Sequence, residues 1–305
     1  MSFASAWRAA SCCMFALLVA LPVAARNAAD SADRLDGTLK KIRDSGGVVL
    51  GYRADSPPFS SLDPQGRPVG YSLDLCTALV DDIADELGVD ALHVRLQPVT
   101  AQNRIAMVVS GEVDIECGST TSNAARRRQV AFSPTVFVTG TKLLVRRDSK
   151  VRSLADLRGR TVAVTRGTTN AQVMQQLSLR RDLGLSVVTG ADHAETFGLL
   201  AAGRADAVAN DEVLLYGLLA RTPDPAFRVV GDFLSYEPYA LMLRAGDEAF
   251  ARTVDSGFRR LAMSRELARI YDKWFMKPTP AGPSLGLPMS PQLEQLLRIL
   301  GLPGE

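Results

Sequence analysis

The strongest constraint on this chain is a recurring alternation. Apolar runs of strand length are separated by segments of helical periodicity, an order that favours mostly parallel sheets covered by helices. Residues 48–52 (VVLGY) read as a strand, 74–87 as an amphipathic helix and 93–98 as a second strand. A short helix is expected over 102–110, before a strand at 113–117. After Phe132-Ser133-Pro134, residues 136–145 read as one extended segment leading into the polar stretch 146–152, where the chain is expected to cross to a second unit. That unit carries strands at 161–165 (TVAVT), 186–189 and 205–209, with helices at 170–179 and 194–202. An apolar run at 239–243 (YALML) leads to a helix near 249–262 and another ending at Trp274. If that run returns the chain to the first unit, two crossings join two α/β lobes and make a hinge. Pro278, Pro280, Pro283 and Pro288 mark an irregular tail before a last amphipathic helix, 291–300.

The expected division is therefore residues 36–138 with 240–277 for lobe 1, 139–239 for lobe 2, and 278–305 for the tail and its helix. A chain of 305 residues suits two lobes better than one domain. Ahead of them, Arg8, an apolar run over 14–23 and the small-residue end Val23-Ala24-Ala25 describe a secretory signal peptide, residues 1–25. The run falls short of the ~20 residues that span a bilayer, which argues against an anchor. The expected location is periplasmic. With 35 Lys and Arg against 33 Asp and Glu, the formal charge of +2 gives no reason to expect nucleic acid as a partner. Selectivity must come from local charges.

Cys12 and Cys13 fall within the removable segment, leaving Cys76 and Cys117. In an oxidising compartment these form either one disulfide or two buried thiols, and their spacing does not choose between the two. No CxxC pair or Cys/His cluster is present, so no metal is expected, and neither GxGxxG nor GxxxxGK[ST] occurs to suggest a nucleotide cofactor.

Ligands of open α/β sheets collect beyond the carboxyl ends of the strands, so the residues there form the candidate site. In the first unit they are Arg53, then Thr100, Ala101 and Arg104, then Ser119, Thr120, Thr121 and Arg126. In the second they are Thr165, Gly167, Thr168 and Thr169, then Asp192 and His193, then Asp211. Arginine offers a planar fork to a carboxylate, and Thr168 and Thr169 stand where a helix N-terminus favours an anion. Gly167 permits the tight turn, and Asp211 suits an ammonium, with hydroxyl help from Ser119 and Thr121. Singly, each residue has an ordinary role: Arg126-Arg127-Arg128 as an exposed helix face, Ser119 to Thr121 or Asp211 as helix caps, and His193 as a structural histidine. Their shared position after strands is what favours a zwitterion carrying further negative charge.

These stretches resemble a known family, the periplasmic amino-acid-binding proteins of ABC importers, and especially their glutamate/aspartate-binding members. The resemblance covers roughly residues 37–300 through GYRADSPPFS, GYSLDLC, QNRIAMVVSGEVDIECGSTTSNAARRRQVAFS, VTRGTTN, ADHAETF and DKWF. QNRI and ECGSTT are marks of the acidic-ligand subgroup. The resemblance implies a two-lobed type II periplasmic-binding-protein fold with hinge strands near 136–145 and 232–243. It also implies ligand-binding roles. Arg126 would grip the α-carboxylate with Thr121 and the Thr168 backbone, and Asp211 and Ser119 would receive the α-ammonium. Arg53 and Arg104 would face the side-chain carboxylate of L-glutamate or L-aspartate, with His193 a further donor and Thr165 beside it. The partner implied is a membrane permease, and the protein is expected to act as a monomer. Ala101 departs from the subgroup, which carries Ser there, so one hydroxyl contact is missing. Two other functions use the same fold: a dehydratase-like enzyme, for which Glu116 and His193 are the acid–base candidates, and a sensor for a separate receptor.

Overall fold

A computed structural model describes residues 35–221, 224–279 and 282–303. The signal-peptide expectation, with Cys12 and Cys13, lies outside the described residues. The chain enters through helix α1 (Gly37–Ser45) and strand β1 (Gly47–Tyr52). Short strands β2 (Asp55–Ser56), β3 (Ser60–Leu62) and β4 (Pro68–Val69) form a small antiparallel sheet, and helix α2 (Tyr71–Leu87) follows. Next come β5 (His93–Pro98), α3 (Arg104–Ser110), β6 (Ile115–Glu116), α4 (Ala124–Arg127) and β7 (Val130–Phe132). Two strands, β8 (Phe137–Thr139) and β9 (Thr141–Arg146), replace the single extended segment expected over 136–145. The break is at Gly140, where a Cβ would lie 2.3 Å from the Ser235 carbonyl oxygen, so the chain turns there against its neighbour.

The second unit holds β10 (Thr161–Thr165), α5 (Thr169–Arg180), β11 (Ser186–Gly190), α6 (His193–Ala201), β12 (Ala207–Asp211), α7 (Glu212–Arg221) and β13 (Phe227–Val230). The chain returns through β14 (Glu237–Tyr239) to β15 (Met242–Arg244), α8 (Glu248–Met263), α9 (Glu266–Tyr271) and a π-helical turn over Asp272–Met276, and ends in α10 (Pro291–Leu300).

Two five-stranded sheets share one plan. The first runs β5-β1-β6-β15-β7 and the second β11-β10-β12-β9-β13, each with three parallel strands followed by an antiparallel one. In each sheet that antiparallel strand is the one contiguous with a crossing, because β8 runs into β9 and β14 into β15. The crossings pair with each other, Glu237 opposite Thr139 and Tyr239 opposite Phe137. The molecule is thus two α/β lobes bridged by a two-stranded ribbon.

Period-two alternation explains the double-sided core of the second lobe. Val162 and Val164 face Leu143, Met174 and Ala209 on one side of the sheet, whereas Ala163 faces Leu144, Leu199, Leu200 and Leu215 on the other. The ribbon is rooted in the first lobe by an aromatic cluster. Phe59 meets Phe137 and Tyr239 edge to face, both at 5.0 Å, Phe275 lies 4.9 Å from Phe137, and Tyr71 donates its hydroxyl to the Val136 carbonyl at 3.0 Å. Such aromatic pairs add about 0.5–1.5 kcal/mol each beyond their burial, which keeps the hinge anchored to one lobe.

Cys76 on α2 and Cys117 after β6 form a disulfide with Cα atoms 6.2 Å apart, which resolves the open choice between bridge and thiols. It ties the end of the central strand β6 to the helix packed behind it. Closing a loop of 41 residues restricts the unfolded chain, so the Cys76→Ser/Cys117→Ser variant should lose roughly 2–5 kcal/mol of unfolding free energy in urea titration.

Candidate functional site

The two lobes face each other across the carboxyl ends of their parallel strands, and the expected residues gather there. Arg53, Arg104, Ser119, Thr121, Thr168, His193 and Asp211 line one cleft, joined by Thr169, Asn170, Asn210 and Leu214. The lobes are drawn together, leaving a cavity of only about 10 Å³ between these side chains. Gly167 marks the closest approach. It has φ +81°, and a Cβ on it would sit 2.8 Å from the Ala101 carbonyl of the opposite lobe, so glycine serves both the turn and the contact. Arg126 and Thr165 stand just behind this lining.

The first lobe contributes buried cations. Arg53 and Arg104 are each 2% exposed, and Arg126 turns inward while Arg127 and Arg128 of the same stretch face solvent. Asn123, and not Ser119 or Thr121, caps α4 by accepting from the Arg126 N–H at 3.0 Å. Arg126 donates to the Thr121 carbonyl at 2.9 Å and reaches the Gly167 carbonyl of the other lobe at 3.5 Å. Arg104 donates to Thr120 Oγ1 at 2.6 Å, which donates to Glu116 Oε2 at 2.6 Å, placing the carboxylate behind the cation. Glu116 does not line the cleft, in keeping with strand alternation turning it away. Gly118 makes room for it, since a Cβ there would lie 2.3 Å from Glu116 Oε1 and 3.1 Å from Arg53 Cγ. Burial, then the nearby Arg126 charge, lowers the Arg104 pKa to about 9 against the opposing pull of Glu116, and burial lowers that of Arg126. The Nε groups of Arg53 and Arg104 are buried with no acceptor in the protein.

The second lobe and the ribbon contribute the acids. Asp211, at the end of β12, accepts from Asn170 Nδ2 at 2.7 Å and from the Tyr239 hydroxyl. Burial and the neighbouring Glu237 push the Asp211 carboxyl up to about 7. Glu237 accepts at Oε2 from Thr121 at 2.7 Å and from Thr169 at 2.8 Å, one hydroxyl from each lobe, and at Oε1 from Ser235 at 2.6 Å. Thr168 caps α5, accepting from the Ala171 N–H at 3.4 Å and donating to the Thr165 carbonyl at 2.7 Å.

A hydroxyl relay orients His193. Thr196 donates to the Asp192 carbonyl at 2.6 Å, Thr165 Oγ1 lies 2.9 Å from Thr196 Oγ1, and His193 Nδ1 lies 2.8 Å from Thr165 Oγ1 and 3.3 Å from the Asn210 amide nitrogen. Thr165 acts on His193 and not on the cleft wall. Burial, with Arg53 and Arg104 nearby and Asp55 opposing, lowers the imidazole pKa to about 4. Among the described residues no group of three or more His, Cys, Asp or Glu side chains is placed to hold a metal ion, and no helix is long and apolar enough to cross a membrane.

Residues 48–277 match the model of the bacterial extracellular solute-binding proteins, family 3. The chain belongs to that family. It is 42% identical over 284 residues to the L-glutamate/L-aspartate-binding protein of Pseudomonas aeruginosa, covering 92% of this chain and 94% of that one. It is 38% identical to the glutamate/aspartate import solute-binding protein of Salmonella typhimurium, covering 87% and 88%. A solved structure of an ancestral arginine-binding protein bound to arginine superposes with a TM-score of 0.68 at 29% identity, covering 75% of this chain and 98% of that one. The solute-binding protein thus has the expected type II fold, and it is a binder, not an enzyme.

The depressed His193 pKa contributes stability that is full above about 6.5 and is lost as pH falls towards about 4. The raised Asp211 pKa has the opposite sign, and its contribution is full below 3.8 and lost as pH rises to about 7. In NMR titration, the His193 ring resonances should move only near pH 4. The His193→Gln variant should gain on the parent in melting temperature as pH falls from 6.5 to 4. Asp211→Asn should gain as pH rises from about 4 to 7.

Proposed function

We propose that this protein captures L-glutamate or L-aspartate between its lobes and presents the closed form to the membrane permease of an ABC importer. The observation that carries this reading is the meeting of Arg53 and Arg104 with Asp211 in one cleft lining, with the Arg126 charge close by and two buried Nε groups lacking protein acceptors. Buried cations need acceptors, and a ligand with two carboxylates and one ammonium supplies matching charges in one molecule. Two relatives named for glutamate and aspartate, spanning most of the chain, point the same way.

In this reading Arg126 holds the α-carboxylate with Thr121 and the Thr168 backbone, while Asp211 and Ser119 receive the ammonium. Arg104 and Arg53 meet the distal carboxylate. His193, oriented by Thr165, faces the same end. The lobes are residues 36–138 with 240–277 and residues 139–239, with 278–305 as the tail. The protein works as a periplasmic monomer after removal of residues 1–25. Closure is a population shift, because the ligand touches both lobes.

The test is a thermal-shift screen of refolded protein against the twenty amino acids and small dicarboxylates, since a ligand of the folded state raises the melting temperature. A shift confined to glutamate and aspartate is expected, and none with any amino acid would overturn the reading. Arg126→Ala should abolish binding of all amino acids, a loss on the order of 10²-fold or more, whereas Arg104→Ala should weaken mainly acidic ones. Equal loss of every ligand in both variants would refute the division of roles.

A further inference from the structure

The arginine count overstates how cationic the distal end of the cleft is. Asp55, two residues beyond Arg53 on β2, places its carboxylate between the lobes. Its Oδ1 accepts from Arg53 at 2.8 Å, and its Oδ2 accepts at 2.9 Å from the backbone N–H of His193, the first residue of α6 in the other lobe. Those donors, a guanidinium and a helix N-terminal N–H, are the kind that would meet a ligand's distal carboxylate. The protein therefore carries, on its own chain, a carboxylate in contact with one of the two arginines assigned to that carboxylate.

We propose that Asp55 is a specificity-determining residue that competes with the ligand's distal carboxylate for Arg53 and the His193 N–H, narrowing the preference of the site for acidic over amide side chains. This rests on the amino-acid reading above. Three features support it. Burial alone would raise the Asp55 carboxyl, but Arg53 and the contacts to His193 hold it at about 2, so it is charged wherever the protein works. Arg104, the other distal arginine, already has Glu116 Oε1 at 3.9 Å and is hydrogen-bonded to Thr120. The Asp55 side chain also has somewhere to go, because it lines an adjoining chamber of about 330 Å³ that shares His193, Asn210 and Leu214 with the cleft. A distal carboxylate can bind Arg53 fully only by displacing Asp55 or by tolerating it as a like charge, whereas an amide faces no such repulsion.

The test compares glutamate and glutamine affinities by isothermal titration for the parent, Asp55→Asn and Asp55→Ser, with melting curves to confirm folding. Removing the charge should shift the glutamate-to-glutamine affinity ratio towards glutamate by about tenfold or more. If Asp55 only positions Arg53, glutamate binding will weaken and the ratio will stay or move towards glutamine in both variants, which overturns the proposal. A parent protein that binds neither amino acid would instead overturn the ligand class, a result separable from an unmoved ratio in a protein that binds both.

Discussion

The structure depends on the burial of three guanidinium groups at one end of one sheet. An isolated buried cation is expensive, and neighbouring cations aggravate the cost, as the lowered pKa of Arg104 reflects. The surroundings of β1 and β6 answer that cost. Glu116 sits behind Arg104 through Thr120, Gly118 leaves space for the carboxylate, and the Cys76–Cys117 bridge fastens the end of β6 to α2. The parallel strand order brings Arg53, Arg104 and the Ser119 to Thr121 turn to one edge, so sheet topology creates the charge problem and also positions its acceptors.

Two carboxylates turn this local balance into a property of the hinge. Glu237 lies on the ribbon itself and takes one hydroxyl from each lobe, while Asp55 joins Arg53 of the first lobe to the start of α6 in the second. Both make their cross-lobe contacts when the lobes are together, and both leave the Nε groups of Arg53 and Arg104 without partners. Closure therefore secures the acids more fully than the bases. A ligand that supplies acceptors to the arginines stabilises the same arrangement that Glu237 and Asp55 already favour, which is the differential interaction a population shift requires.

Much of the fold was legible because apolar periodicity survives burial on both faces of a sheet. Strands such as TVAVT and helices such as 291–300 stand where their patterns place them. Helix α2 begins three residues before its expected start because the Tyr71 and Ser72 N–H groups bond to the Pro58 and Phe59 carbonyls, a tertiary contact no local pattern reveals. The run 239–243 divides between β14 and β15 because its first residue belongs to the ribbon and its last two to the first sheet. Strands β7 and β13 are too short to show a period, and α7 follows β12 without a break to mark it. In the site, residues that follow strands were readable. Asp55, Asn170, Glu237 and Tyr239 were not, since their roles arise only when the crossings bring distant segments together. The usable signal for Glu237 was an acid two residues ahead of the apolar run in an expected crossing.

Charge in such a cleft is a matter of pairing more than of counting. Arg53 arrives with Asp55, Arg104 with Glu116 at one remove, and Arg126 with backbone carbonyls on either side of the cleft. Among the described residues only the last of these three forms no ion pair, and it is the one assigned to the group every amino acid carries. The distal arginines, which would separate acids from amides, are the ones the protein has already partly neutralised. A polar group that merely exchanges one acceptor for another gains little, whereas one that supplies an acceptor where none exists gains more. In the proposed reading, affinity for the amino-acid core and selectivity for its tip would be set by different arginines, and Asp55 would tune the second without disturbing the first.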